Sequence, residues 1–341
     1  MIESYLLNRF QRVQLDSSIL NSKTVSTWSE VKHGVPQGSV LGPLRFLLYI
    51  SDLPKAILSN ATPILFADDT SIIITDQDKH RFQDDLNATF DHISNWFRVN
   101  SLFLNISKTC YIQFSGKNIN YLDINITYEN NYISHIKEIK FLGLYINNTL
   151  SWKTHIDKIL PKLCSACFAM KTVKPFVSQQ MLKVIYYSHF HSIVTYGLIF
   201  WGHSPYSIRV FRLQKRIMRI MMGLKSRDSC RKVFIKLKIL PFPSLYIFVL
   251  LQFVTKNREL FTTNSEIHKF GTQHHHNFHY PATLTKYQGV LYMGINIYNS
   301  LPTYIKKELT DTKKFVPLTI NFLCENSFYS LEEFYNFCKM K

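Results

Sequence analysis

Two adjacent aspartates, Asp68 and Asp69, stand between two apolar runs, Ile64-Leu65-Phe66-Ala67 and Ile72-Ile73-Ile74, with only Thr70 and Ser71 intervening on the far side. Short apolar strands separated by so few residues fold back on one another as a β-hairpin, here with its charge at the turn. Two carboxylates a few ångströms apart repel by roughly 4 kcal/mol at an effective dielectric near 20. Strands that bury the base of the turn sharpen the repulsion unless a cation neutralises it. Mg²⁺ is commonly held by one or two carboxylates with water and substrate phosphates, the arrangement that nucleotidyl transfer uses. The same pair also makes an ordinary turn, because Asp tolerates positive φ and a solvated Asp-Asp corner needs no metal. On these residues alone both readings stand.

Upstream lies Gly34-Val35-Pro36-Gln37-Gly38-Ser39-Val40-Leu41-Gly42-Pro43, followed by an apolar run from Leu44 to Ile50 and then Asp52-Leu53-Pro54. Three glycines and two prolines in ten residues make a stiff loop whose backbone can approach a ligand closely. Gln37 is its only long polar side chain.

This loop, followed by Phe66-Ala67-Asp68-Asp69, resembles the substrate-positioning and metal-binding motifs of reverse transcriptases from non-LTR retrotransposons, most like the jockey-type elements of arthropods. The likeness continues through Trp96-Phe97 and Asn100, Leu104-Asn105, Lys108-Thr109, Phe141-Leu142-Gly143, and Trp152 with His155 and Ile156. Further on, Tyr196-Gly197 with Trp201, Leu213-Gln214 with Arg216, Asn299-Ser300-Leu301-Pro302, and Phe328-Tyr329-Ser330 with Glu333-Phe334 are similar to the tails of such open reading frames.

The resemblance implies an α+β fold: a polymerase palm remnant, an antiparallel sheet with helices on one face, over residues 1–150. A helical thumb-like region over 151–224 and a basic, mainly helical C-terminal region over 225–341 follow. It implies RNA-directed DNA synthesis with Mg²⁺ or Mn²⁺, and as partners an RNA template, a DNA primer and deoxynucleotide triphosphates. Asp68 would be a metal ligand with Asp69 beside it as second ligand or support. Pro36, Gln37 and Gly38, with Phe66 and Ala67, would line the groove for template base and nucleotide, and Phe141, Leu142 and Gly143 would grip the primer end. Lys108 stands where this group places a lysine near the pyrophosphate, although a solvated strand start explains it equally well. The family carries a further metal-binding aspartate upstream of the glycine-proline loop, and residues 1–33 lack that motif; Asp16 and Glu30 are the nearest carboxylates. The chain is therefore expected to be the C-terminal part of such a polymerase and not to extend a primer by itself. The alternative is a non-catalytic nucleic-acid-binding remnant.

Charge agrees with a polyanionic partner. The formal net charge is +17, yet residues 1–150 hold 13 Lys and Arg against 14 Asp and Glu, while residues 151–341 hold 27 against 9. A basic half of that kind argues for nucleic acid. A membrane is the weaker alternative. The most apolar stretch, Ile239 to Val254, is too short for a span and carries Pro241 and Pro243. With no secretory leader pattern, the expected location is the nucleus or cytoplasm. Six cysteines without a framework suit a reducing compartment. Cys164-x-x-Cys167 lies in a helical pattern without a second ligand pair, and His274-His275-His276 with His279 reads as a polar loop.

Periodicity places the elements. Two strands are expected around a polar turn near Asp16 to Ser18. Phe82, Leu86, Phe90, Ile93 and Phe97 form one stripe, predicting an amphipathic helix over 79–99. Short strands are expected near 109–114 and 138–146, giving an α+β layer. Beyond Ser151, Ser178 and Ser204-Pro205 are helix starts, and Gly202 and Gly223 are stops. Between them Val210, Leu213, Ile217, Ile220 and Leu224 form an apolar stripe beside a basic row of Arg209, Arg212, Lys215, Arg216 and Arg219. Residues 209–238 contain eleven Lys and Arg and one acid, Asp228, so intrahelical ion pairs cannot account for them, and phosphate contact is the favoured reading. Pro241, Pro243, Pro281, Pro302 and Pro317 are expected to break the last third into short pieces, with a helix starting at Ser330.

Overall fold

The computed structural model describes residues 8–17, 22–32, 34–36, 38–57, 60–76, 78–114, 124–128, 131–267, 277–280, 289–309 and 311–340. The chain folds as two units, Met1–Tyr111 with Asn120–His135, and Ile112–Ile119 with Ile136–Lys341.

In the first unit the glycine-proline loop runs into helix α1, Gly42–Tyr49, with Pro43 in its first turn, where the missing N–H costs nothing. Strands β1, Ala61–Phe66, and β2, Asp69–Ile74, pair antiparallel from Ala61 opposite Ile74 to Phe66 opposite Asp69. The expected hairpin is present, with Ala67 and Asp68 as its two turn residues. Helix α2, Lys79–Val99, matches the predicted amphipathic helix. Its stripe serves two small clusters: Phe82, Leu86 and Phe90 pack on Ile124, Ile126 and Ile133, while Trp96 is buried with Ile50 and Leu53. Gln14–Ser17 and Ser22–Val25 form the N-terminal hairpin, with Asp16 opposite Lys23.

These strands do not join into one antiparallel sheet. Those described pair two at a time, and Cys110–Tyr111 pairs with Ser134–His135 in parallel. Pro63 gives one reason, since a residue with no N–H to donate is confined to sheet edges.

The second unit begins with a hairpin, β3 Glu138–Phe141 and β4 Leu144–Asn147, with Phe141 opposite Leu144. Helix α3, Lys153–Val173, follows, and Pro161 lies inside it. Ser178 caps the helix Gln179–Ile185 through its Oγ and the Met181 N–H, which passes into a π-helical turn, Tyr186–His191. Helix α4, Ile208–Met222, ends at Gly223 with φ of +70°, the left-handed stop expected there. Gly202 follows the short helix Leu198–Trp201 in an ordinary helical conformation. Its value is space, because a Cβ would sit 2.2 Å from the Tyr246 ring.

Helices α5, Arg231–Leu237, α6, Phe242–Lys256, α7, Val290–Ser300, α8, Thr312–Asn326, and α9, Leu331–Lys339, complete the unit. The apolar run from Ile239 to Val254 is explained by α6, which buries Leu245, Tyr246, Ile247, Leu250, Leu251 and Val254. Pro241 is its cap and Pro243 lies in its first turn, so the two start a helix rather than break one. Pro317 does not break the chain either. Helix α8 runs through it, losing one backbone hydrogen bond while burying Phe315, Phe322 and Leu323. Among the described residues no single helix is long and apolar enough to cross a membrane, and α5 with α6 forms a pair bent by 47°.

Candidate active site and nucleic-acid interface

At the tip of the first unit's hairpin, Phe66, Ala67, Asp68 and Asp69 are all exposed. Ala67 takes φ of +52°, a conformation that the first position of a tight hairpin turn demands and that glycine ordinarily supplies. Among the described residues, neither aspartate side chain has a hydrogen-bond or ion-pair partner. No group of three or more metal-ligating His, Cys, Asp or Glu occurs among them either. Two adjacent carboxylates are nevertheless hard oxygen donors of the kind Mg²⁺ and Mn²⁺ accept, with water and phosphate filling the remaining positions.

In the upstream loop Gly34 and Gly38 take φ of +78° and +80°, and among the described residues nothing lies within 4 Å of where either Cβ would stand. Their glycine requirement is conformational. The Ser39 N–H donates to the Pro36 carbonyl at 3.2 Å, the Gly42 N–H donates to Ser39 Oγ at 3.1 Å, and Arg9 donates to the Gly34 carbonyl at 2.7 Å. Gln37 lies outside the described residues. Lys108 is exposed on a turn built by Asn105, whose Oδ1 accepts from the Lys108 N–H at 3.2 Å and from Ser107 Oγ at 2.7 Å. Asn105 thus fixes the backbone from which Lys108 projects.

In the second unit, Leu142 and Gly143 form the hairpin turn with φ of +44° and +83°. Both central residues in the left-handed region define the tight turn that matches strand twist. The basic row of α4 divides by environment. Arg209 pairs with Asp157, Arg219 Nε donates to the Asp228 carbonyl at 2.9 Å, and Lys215 lies over the rings of Phe211 and Tyr329. Arg212 and Arg216 are exposed and one turn apart, and neither forms an ion pair among the described residues. The apolar stripe is rotated slightly from the expected one: Val210, Phe211, Gln214, Ile217, Met218 and Met221 are buried, whereas Leu213 and Ile220 are half-buried.

Cys164 is exposed and Cys167 buried on α3, and neither is in a disulfide. His274, His275 and His276 lie outside the described residues.

Residues 2–146 match the family model described as Reverse transcriptase (RNA-dependent DNA polymerase). Through that part of its length the chain is similar to reverse transcriptases. Its homologues include a protein of Drosophila melanogaster named "Probable RNA-directed DNA polymerase from transposon X-element", 26% identical over 65% of this chain and 25% of the relative. Another is the "RNA-directed DNA polymerase from mobile element jockey" of the same organism, 24% identical over 47% of this chain and 17% of the relative. The "Retrovirus-related Pol polyprotein from type-1 retrotransposable element R1" of Bradysia coprophila is 23% identical over 62% and 21%. The aligned segments span a quarter or less of these relatives. No solved structure matches the chain.

Sequence reasoning gave no role to several polar residues that the structure places at joints. Gln214 is 1% exposed; its Nε2 donates to the Tyr186 hydroxyl at 3.0 Å and the Leu240 carbonyl at 2.9 Å, and its Oε1 accepts from the Phe242 N–H at 2.7 Å. Arg231 grips Glu333 with two hydrogen bonds, 2.5 and 3.1 Å, tying α5 to the capped start of α9. Asn299 brackets Phe278 through both its N–H and its carbonyl, 2.8 and 2.9 Å. All three lie in or beside motifs noted in the sequence, and their hydrogen-bond partners are what give them meaning.

Proposed function

We propose that this chain is part of an RNA-directed DNA polymerase of a non-LTR retrotransposon, with its first unit a palm remnant and its second unit a thumb-like and C-terminal holder of nucleic acid. The observation that carries the reading is the two-carboxylate turn at an exposed hairpin tip, inside the segment that matches the reverse transcriptase family. In this reading Asp68 and Asp69 hold Mg²⁺ or Mn²⁺, which when bound neutralises charge on the triphosphate and on the attacking primer hydroxyl. The chain's own groups then bind and orient. Pro36, Gln37 and Gly38 pass backbone beside the template base, Phe66 offers an exposed ring next to the carboxylates, and Lys108 supplies a cation for the departing pyrophosphate. The hairpin tip of Phe141, Leu142 and Gly143 holds the primer end, while Arg212 and Arg216 lead the phosphate contacts of α4.

A second reading, nucleic-acid binding without catalysis, draws on the absence of a third carboxylate beside the pair among the described residues and on the extensive core of the basic unit. One experiment separates them: extension of a labelled DNA primer on an RNA template by the purified chain with Mg²⁺ or Mn²⁺, beside a measurement of primer–template binding. Extension that Asp68→Asn abolishes supports the polymerase. Retained binding with no extension in either form supports the binding module.

A further inference from the structure

The pair Tyr196-Gly197 stands 54 residues beyond the turn of Leu142 and Gly143, and the two dipeptides interlock. The Tyr196 hydroxyl donates to the Leu142 carbonyl. Its ring lies where a Cβ on Gly143 would meet it at 3.0 Å. In return, Gly197 takes φ of +60°, and a Cβ there would stand 2.7 Å from Leu144 Cδ2. Each glycine makes room for the other segment's side chain.

Behind this contact the tyrosine is anchored. Trp201, fully buried, donates its Nε1–H to the Tyr196 carbonyl at 3.0 Å. The Trp201 ring lies 5.5 Å from that of His155, whose Nδ1 accepts from the Tyr145 N–H of β4 at 3.4 Å. The hairpin is thus held at its strand through His155 and at its tip through Tyr196.

We infer that Tyr196 is a positioning residue that clamps the Phe141-Leu142-Gly143 turn and so sets where the primer's 3′ end is held; this rests on reading that turn as a primer grip. The Tyr196 bond captures a turn carbonyl from outside the hairpin, so the tip cannot rock without breaking it. Tyr196 is 55% exposed. A bond in that position contributes little to global stability because water replaces it. A purely structural tyrosine and a positioning one therefore predict different results.

The test uses the full chain and two probes: an RNA template with a recessed DNA primer, and the same duplex without a terminus, each titrated by fluorescence anisotropy. The unsubstituted chain should favour the recessed end. Tyr196→Phe, which keeps the ring and loses the hydroxyl, should reduce that preference about twofold, the low end for one net hydrogen bond. It should leave affinity for the uninterrupted duplex and the melting temperature unchanged, and hydrogen exchange of the 141–144 amides should quicken. Gly143→Ala, strained at φ of +83°, should lose the preference as well. If Gly143→Ala loses it and Tyr196→Phe does not, the clamp is overturned and the primer grip stands. If neither variant changes it, or the unsubstituted chain shows none, the primer-grip reading fails and takes the clamp with it.

Discussion

Replacing Gln214 tests whether a buried amide, rather than the surrounding apolar contacts, holds α4 in place. Its side chain serves a tyrosine hydroxyl, a backbone carbonyl and a backbone N–H at 3.0, 2.9 and 2.7 Å. Tyr186 and Phe242 are 0% and 2% exposed, so water cannot replace the amide without entering the core. In Gln214→Leu the volume is nearly kept, but the Phe242 N–H and Leu240 carbonyl lose their partner. At about 1–3 kcal/mol for each orphaned buried group, the expected loss is about 3 kcal/mol, and Gln214→Ala should add a cavity and reach about 4–5 kcal/mol. The chain has two units, so a single denaturation midpoint mixes them. Native-state hydrogen exchange, read at the Phe242 amide and along α4, isolates the unit concerned. A loss below about 1 kcal/mol in both variants, or unchanged protection of the Phe242 amide, would refute the reasoning and leave packing of Ile217, Met218 and Met221 as the anchor.

His155 should make the second unit acid-sensitive: it is 2% exposed, its Nε2 has no hydrogen-bond partner among the described residues, and burial, with Lys162 adding to it, pushes its pKa down from 6.5 to about 4. The unfolded chain takes the proton first, so stability is whole above pH 6.5 and falls by up to about 3 kcal/mol as pH drops towards 4; hydrogen exchange of α3 amides at pH 7 and pH 4.5 measures it, and the same pH dependence in His155→Phe would contradict the assignment. Arg212 and Arg216 should account for part of the salt dependence of nucleic-acid binding. Changing both to Gln should flatten the slope of log K against log salt by roughly 1.4 on single strands, and an unchanged slope would remove α4 from the interface.

Elements with a strong local signal were readable. The Asp hairpin needed only two apolar runs and a short gap, α2 needed only its stripe, and the stop at Gly223 needed only a glycine at the end of an apolar helix. What could not be read depends on contacts distant in the chain. The α4 stripe was expected to include Leu213 and Ile220, because periodicity ranks residues by hydrophobicity. In the structure the same face centres on Gln214, a polar residue whose partners, Tyr186, Leu240 and Phe242, lie 26 to 28 residues away. Pro317 was expected to end a helix for the complementary reason: the local cost of one missing hydrogen bond is visible in sequence, and the burial of Phe315, Phe322 and Leu323 that offsets it is not. The separate two-stranded ribbons of the first unit were hidden too, since alternation reveals a strand without its neighbours.

The same distinction sorts the candidate site. His155, Trp201, Gln214 and Asn299 all fall in motifs, and each has a hydrogen bond to backbone outside its own helix. Such residues hold one element to another. A ligand cannot reach a buried group without first breaking those bonds, which for a buried donor or acceptor costs about 1–3 kcal/mol apiece. Asp68, Asp69, Lys108, Arg212 and Arg216 are exposed instead, and no side-chain partner competes for them among the described residues. They can meet phosphate or a divalent cation without that cost. Spacing in the sequence marks both groups alike. Burial separates them: the exposed charges stay open to a ligand, and the buried polar residues hold one element of the second unit to another.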